Sequence, residues 1–413
     1  MARECMRLVL LLIVHLGLTY GSRRANLLRS HADMVVVNPP APEPSGLCEA
    51  VVTPHGYPCK EYEVTTGDGY ILSLQNIPRG RLQKGIEEGK RQPVLLQHGI
   101  LMDGMTWLLD NPDESLGYIL ADSGFDVWIA NTRGTQYSLN HQYLDPKKKA
   151  YWAWSWDELV EYELPAIVGF VHTQTGQKIH YVGHSLGTLV ALASFSEGRL
   201  VDMLKSAAFL CPIAYLSHMT TPIGQVAAKA FIGEIMSSLL GIPEFNPKEL
   251  VVADILTGLC KQSGFNCYDL FTSLTGKNCC LNSSTVELFL KFEPQPTSTK
   301  NMVHLAQMVR NGILTKFDYG PAMNMLHYAH FNPPVYNLSH IPNDLPLFLG
   351  YGGQDALSVV PDVQLLLDSL KFHDVDKLSI QFVEDFAHAD FVMGVTAKSI
   401  VYDAIIAFFN RHY

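Results

Sequence analysis

One stretch limits what this chain can become. The β-leaning run Ile179-His180-Tyr181-Val182 passes through Gly183-His184-Ser185-Leu186-Gly187 straight into the apolar helical run Thr188-Leu189-Val190-Ala191. A serine caught between a strand and a helix sits on a sharp turn that projects its hydroxyl, and nothing bulky fits two residues to either side. Gly183 and Gly187 supply that room. The turn also leaves the first helical amides without partners inside the helix, so the backbone N–H of Leu186 points to where an oxyanion would form beside Ser185. Gly-x-Ser-x-Gly alone says little; its place between strand and helix says most.

The chain has 413 residues, 47% of them apolar and 17% charged, enough for one large core or two modest ones. Its net charge of −10, with no long basic run, argues against a nucleic-acid partner. Arg3 and Arg7 precede the apolar run Leu8 to Leu18, and small residues Gly21 and Ser22 follow. This is the pattern of a cleaved secretory signal over residues 1–22. The run falls short of the ~20 residues of a transmembrane anchor. Residues 23–44, basic and then proline-rich, read as a mobile N-terminal segment.

Secretion makes the cysteines candidates for disulfides rather than zinc ligands. Cys48 and Cys59 are expected to pair. Cys211 ends the buried run Ala207-Ala208-Phe209-Leu210 and is expected to stay free, whereas the pairing of Cys260, Cys267, Cys279 and Cys280 is open. Asn282-Ser283-Ser284 and Asn337-Leu338-Ser339 are glycosylation sequons.

In chain order, Tyr62 and Val64, then Leu72 and Leu74, alternate around Gly67-Asp68-Gly69 as a hairpin. Pro93 to His98 reads as a buried strand. Asn111-Pro112-Asp113-Glu114 looks like a helix start, with Gly124 its stop. Phe125 to Ala130 is a strand, and Ser155-Trp156-Asp157-Glu158 is a capping box for a helix running toward Gly176. Strands alternating with helices mean a mostly parallel sheet covered on both faces. After Cys211 roughly 130 residues intervene before Leu345-Pro346-Leu347-Phe348-Leu349, where a parallel crossover needs about a dozen. Residues 213–343 are therefore expected to be an inserted helical cap or lid between two parts of one core, 45–212 and 344–413. Ile232, Ile235, Met236, Leu239 and Leu240 form one helical stripe in it. Met302, Leu305, Ala306 and Val309, after Ser298 and before Gly312, form another.

A serine hydroxyl needs a histidine base, and that base needs a carboxylate to fix its tautomer. In an α/β-hydrolase the order is Ser, then acid, then His. Asp355 lies in the glycine-rich turn after the strand Leu347-Phe348-Leu349, and His388 follows the strand Leu378 to Val383. The rival acid, Asp362, follows Pro361 at a helix start, where the helix dipole already explains it. His98, His180 and His184 read as structural, and no metal-ligand spacing unites the sixteen histidines. No metal or cofactor is called for. The loop Gly99-Ile100-Leu101 after the third strand is placed to give the second oxyanion amide, from Ile100 with Leu101 as the alternative.

With these residues assembled, the chain resembles the acid lipase family of gastric and lysosomal acid lipases and plant triacylglycerol lipases. The resemblance runs from about Gly46 to the C-terminus. It is carried by Leu96-Gln97-His98-Gly99-Ile100-Leu101, Val127 to Gly134, Tyr181-Val182-Gly183-His184-Ser185, Asn301-Met302-Val303-His304, Gly352-Gly353-Gln354-Asp355 and His388-Ala389-Asp390-Phe391. It implies Ser185, Asp355 and His388 as triad, Ile100 and Leu186 as oxyanion donors, a cap that regulates access, and a lipid ester bound at a lipid–water interface. Two positions depart from the gastric pattern: Leu186 stands where Gln is usual, and Ala387 where Asn is usual. The expected enzyme is a serine-dependent lipase of the secretory pathway, with a soluble-ester esterase, an acyltransferase or a non-catalytic binding protein of the same fold as alternatives.

Overall fold

The computed structural model describes residues 46–82, 91–249 and 270–412. The expected signal (1–22), the N-terminal segment (23–44), Cys260 and Cys267 lie outside the described residues.

Alternating apolar residues pair as anticipated in an antiparallel hairpin, β1 (Lys60–Thr65) with β2 (Tyr70–Ile77), which sets Val64 opposite Leu72 and Tyr62 opposite Leu74. The strands β3 (Pro93–Gln97), β4 (Asp126–Ala130), β5 (Asn140–His141), β6 (Ile179–His184) and β7 (Leu204–Leu210) follow. Next come β8 (Glu244–Phe245) and β9 (Thr297–Ser298), which make a small antiparallel ribbon of their own. The strands β10 (Leu347–Gly352) and β11 (Leu378–Val383) return to the main sheet. Its order is β1-β2-β4-β3-β6-β7-β10-β11, with β5 beside β2, and every pairing from β4 to β11 is parallel.

Every residue of β3 and β6 is buried, as a strand covered on both faces requires. Successive side chains serve opposite faces. Tyr181 packs with the helices Leu164–Thr175 and Leu186–Ser196, while Val182 joins the helices Leu116–Asp122 and Asp403–Arg411. The capping box at Ser155 is present in full, and the helix Thr299–Asn311 is capped by Ser298 and closed by Gly312, all as the sequence indicates. Cys48 bonds Cys59, the adjacent Cys279 and Cys280 bond each other, and Cys211 is free and buried.

Two expected helices differ. The one read from Asn111 begins at Leu116, because Glu114 N–H and Ser115 N–H both donate to Asn111 O (2.9 and 3.0 Å) and close a separate turn first. The stripe at 232–240 is not one buried face. Leu240 N–H reaches back five residues to Ile235 O (3.1 Å), and this wider turn changes the phase of the stripe. Met236 is buried against Phe245, whereas Leu239 is 71% exposed.

The chain between β7 and β10 is tied to the rest through buried carboxyls. Asp157 accepts hydrogen bonds from Phe317 N–H (2.7 Å) and the Tyr336 hydroxyl (2.8 Å), and Asp110 accepts from the Thr285 hydroxyl. Burial pushes Asp157 up to about 7 and Asp110 up to about 6, against the hydrogen bonds that lower them. An acid raised in the folded state binds more protons there than when unfolded, so its contribution is present at low pH and is lost as pH rises through the folded value. Stability from Asp157 should therefore decline between about pH 4 and pH 7 by a few kcal/mol. Asp157→Asn should remove that part of the slope; chemical denaturation of both proteins at pH 4.5 and pH 8 should show their difference in unfolding free energy changing sign or shrinking with pH.

Candidate active site

β6 delivers Ser185 into a turn with φ 52° and ψ −117°, a conformation that a non-glycine residue adopts only when its surroundings impose it. Here Ser185 N–H donates to Leu210 O (3.1 Å), and its carbonyl accepts from Thr188 N–H (2.9 Å) and from the Thr188 hydroxyl (2.6 Å). The flanking glycines are fixed by contact. A Cβ on Gly187 would stand 2.5 Å from Gln97 O, and one on Gly183 would stand 2.9 Å from the Gly187 carbonyl carbon. The loop after β3 presses on the same turn, since a Cβ on Gly99 would meet the Ser185 Cβ at 3.0 Å.

In that loop Leu101 takes φ 59° and its carbonyl accepts from Gln295 N–H (2.8 Å). Among the described residues no hydrogen bond uses the amides of Ile100 or Leu186. His98 braces the loop from behind: Nδ1–H donates to Gly99 O (2.8 Å) and Nε2 accepts from Thr132 N–H (3.0 Å). Burial drives His98 down to about 4, so the imidazole stays neutral with this tautomer. Asn131 accepts from Gly104 N–H (2.9 Å) at the loop's far end.

Asp355 follows β10 and is wholly enclosed at its side chain. Its Oδ2 accepts from His388 Nδ1–H (2.8 Å), and Oδ1 accepts from the amides of Leu357 (2.8 Å) and Ser358 (2.9 Å). Burial alone would raise this carboxyl, but the neighbouring His388, their hydrogen bond and the two amides outweigh it and hold Asp355 below its ordinary value. Asp355 is thus an anion that fixes the orientation of the His388 ring through Nδ1–H. Asp362 stands elsewhere, in the first turn of the helix Val360–Ser369. It accepts from His218 Nδ1–H (2.7 Å), His218 N–H (3.0 Å) and the Ser217 hydroxyl (3.1 Å).

Three supports escaped the sequence reading. His184, read there only as structural, donates from Nε2 to the His388 carbonyl (3.1 Å). Burial first, and then His388, push His184 down to about 3, which keeps it neutral. Asp390 accepts from Ala387 N–H (2.8 Å) and from the amides of Cys279 and Cys280 (both 3.1 Å), so it moors the His388 loop to the disulfide. Cys211 Sγ donates to the His388 carbonyl (3.5 Å). His184, Cys211 and His388 bring potential ligand atoms within 4.8 Å of one another, yet burial raises the Cys211 thiol well above its ordinary value and His184 Nε2 is committed to a carbonyl. In this structure His184 and Cys211 pack against His388 and both bond its carbonyl. His180, bonded to the Ser206 hydroxyl (2.7 Å) and stacked on Phe409, is structural as expected.

Comparison with known proteins agrees with this architecture. The partial alpha/beta-hydrolase lipase region matches residues 48–111, and the alpha/beta hydrolase fold matches residues 92–233. Triacylglycerol lipase 2 of Arabidopsis thaliana is 58% identical over 89% of this chain and 88% of its own length. Gastric triacylglycerol lipase of Rattus norvegicus is 34% identical over 96% of this chain and 98% of its own. A solved structure, the soluble variant of monoglyceride lipase from Saccharomyces cerevisiae in complex with a substrate analog, shares the fold. It aligns with TM-score 0.53 at 12% identity over 86% of this chain and 96% of that one. The chain belongs to the α/β-hydrolase lipase family that contains the plant and gastric triacylglycerol lipases.

Proposed function

We propose that this chain is a serine-dependent lipase that hydrolyses carboxylic ester bonds of neutral lipids, triacylglycerol foremost, through an acyl-serine intermediate. The observation that carries the reading is the Asp355–His388 hydrogen bond beside a strained serine elbow, in a chain 58% identical to a triacylglycerol lipase. Ser185 Oγ attacks the ester carbonyl carbon while His388 Nε2 takes its proton. The amides of Ile100 and Leu186 stabilise the oxyanion, which collapses as His388 returns the proton to the leaving alkoxide. Water, deprotonated by His388, then attacks the acyl-serine and frees the fatty acid. Neither step asks for a metal or cofactor.

The segment 213–343 serves in this reading as a cap over the site. Support comes from Leu101, Ile232 and Met302, which pack on the same small cluster of Met236 and Phe245, so the segment touches the loop that carries Ile100. Phe231 (50%) and Leu239 (71%) are exposed on it, apolar surface suited to a lipid–water interface. Among the described residues no helix is long and apolar enough to cross a membrane. Passage through the secretory pathway, to the exterior or to a vacuole or lysosome, is supported by the disulfides and by the exposed sequon residues Asn282 and Asn337.

Ser185→Ala should abolish ester hydrolysis while leaving the unfolding transition in place, and Asp355→Asn should lower kcat by about 10⁴. Asp362→Asn should change kcat little, because that carboxyl serves Ser217 and His218. Sensitivity of kcat to Asp362 in place of Asp355 would reassign the acid.

Hydrolysis of a partly soluble ester should rise steeply once its concentration passes the solubility limit, since a lipid surface favours whichever state exposes apolar area, at about 25 cal/mol per Å². Phe231→Ser with Leu239→Ser should blunt that rise more than it affects short monomeric esters. Smooth saturation through the limit would instead identify a soluble-ester esterase with the same triad.

A further inference from the structure

The loop that carries Ile100 is gripped by two residues, Glu293 and Gln295, that lie far away in sequence. Gln295 N–H donates to Leu101 O (2.8 Å), and Asp103 N–H donates to Glu293 Oε1 (2.9 Å). Asp103 Oδ1 accepts from Met105 N–H (2.8 Å) and Oδ2 from Gln136 Nε2–H (2.9 Å), and Gln136 N–H donates to Gln295 Oε1 (2.9 Å). Asp103 and Glu293 are fully buried and Gln295 nearly so, and Gln136 reaches in to them from an exposed position.

One contact in it needs a proton. Glu293 Oε1 accepts from the Asp103 amide, so the two fully buried acids stand side by side, and Glu293 Oε2 has no donor among the described residues. Two neighbouring carboxylates in a buried site repel each other; a carboxylic acid beside a carboxylate does not. We infer that Asp103 and Glu293 share one proton and act as a positioning pair, holding the loop 99–104 so that the Ile100 amide is aimed at the oxyanion. This rests on the oxyanion reading given above. Neither residue touches substrate.

The surroundings favour the singly protonated pair. Lys248, whose Nζ donates to Phe292 O (3.0 Å), is the cation whose field reaches both carboxyls, and Gln136 and the Met105 amide contribute neutral donors to Asp103. Tyr137, with its hydroxyl raised by burial, is neutral. Burial raises both acids above their ordinary values, and for Glu293 the charge of Asp103 adds to it. As pH rises the shared proton is lost, two buried anions repel, and the loop is released. The sign is therefore loss of kcat on the alkaline side, with KM little changed because the amide meets charge that develops after binding.

The test uses the full-length protein with a soluble ester. Glu293→Ala removes the carboxyl pair from the grip and should lower kcat at pH 5 by between about ten- and a hundredfold, the scale of a small misplacement near the reacting centre. Glu293→Gln can accept from Asp103 N–H and donate permanently to the Asp103 carboxylate. It should restore kcat relative to Glu293→Ala and raise the ratio of kcat at pH 8 to kcat at pH 5 about tenfold over the parent. If Glu293→Ala does not fold, the Glu293→Gln profile decides alone. A Glu293→Gln profile that overlays the parent, or a Glu293→Ala defect confined to KM, would overturn the pair. Ser185→Ala is assayed alongside: activity in that variant would sink the oxyanion reading itself, whereas an inactive Ser185→Ala with an unaltered Glu293→Gln profile would sink the pair alone.

Discussion

Everything at this site depends on a backbone turn that serine does not choose for itself. Holding a non-glycine residue at φ 52° costs on the order of 1–3 kcal/mol, which the surrounding structure must supply. It does so by over-determination. β6 is locked between β3 and β7, and Ser185 N–H is drawn to Leu210 O across the sheet. Gly187 is pressed so close to Gln97 O that the helix after the serine has one seat available. Strain of this kind persists only in a rigid frame, and here the frame is a strand buried on both faces at the centre of a parallel sheet.

Asp355 and His388 come to the same edge of the sheet as Ser185 because parallel strands end on the same edge. β10 and β11 bring Asp355 and His388 to that edge on short loops, where loop residues are placed by the scaffold beneath them. Those loops are held by a surprising number of charges and protons in dry surroundings. The Asp355 anion is satisfied by two amides and an imidazole, and Asp390 by three amides. Asp157 and Asp110 hold the chain between β7 and β10 with their values raised by burial. Asp355, held below its ordinary value, and Asp157 and Asp110, raised above theirs, make the assembly sensitive to pH in opposite directions.

The sequence was legible wherever chemistry is local. The elbow, the hairpin around Gly67-Asp68-Gly69, the capping box at Ser155 and the helix from Ser298 to Gly312 are each set by residues within a few positions of one another. Asp355 and His388 were found by their place after strands, and the structure brings them into one hydrogen bond. The misread helix start at Asn111 shows the limit of such signals: Asn-Pro-Asp-Glu suits a turn as well as a cap, and the hydrogen bonds to Asn111 O make it a turn. Likewise the stripe from Ile232 to Leu240 fits a regular helix, but one wide turn carries Leu239 outward. The role of His184 was out of reach because it depends on the carbonyl of a residue more than two hundred positions later. The same holds for Asp103 and Glu293, two acids that nothing in the sequence brings together.

The chemistry of this site turns on whether Ser185 is the nucleophile. The direct measurement is stoichiometric reaction with a fluorinated or p-nitrophenyl organophosphonate ester, followed by peptide mapping by mass spectrometry and by residual ester hydrolysis. A nucleophilic Ser185 gives one adduct per chain, carried by the peptide that contains Ser185, with hydrolysis lost in proportion to labelling. An adduct at another residue, or full hydrolysis after complete labelling of Ser185, would contradict it.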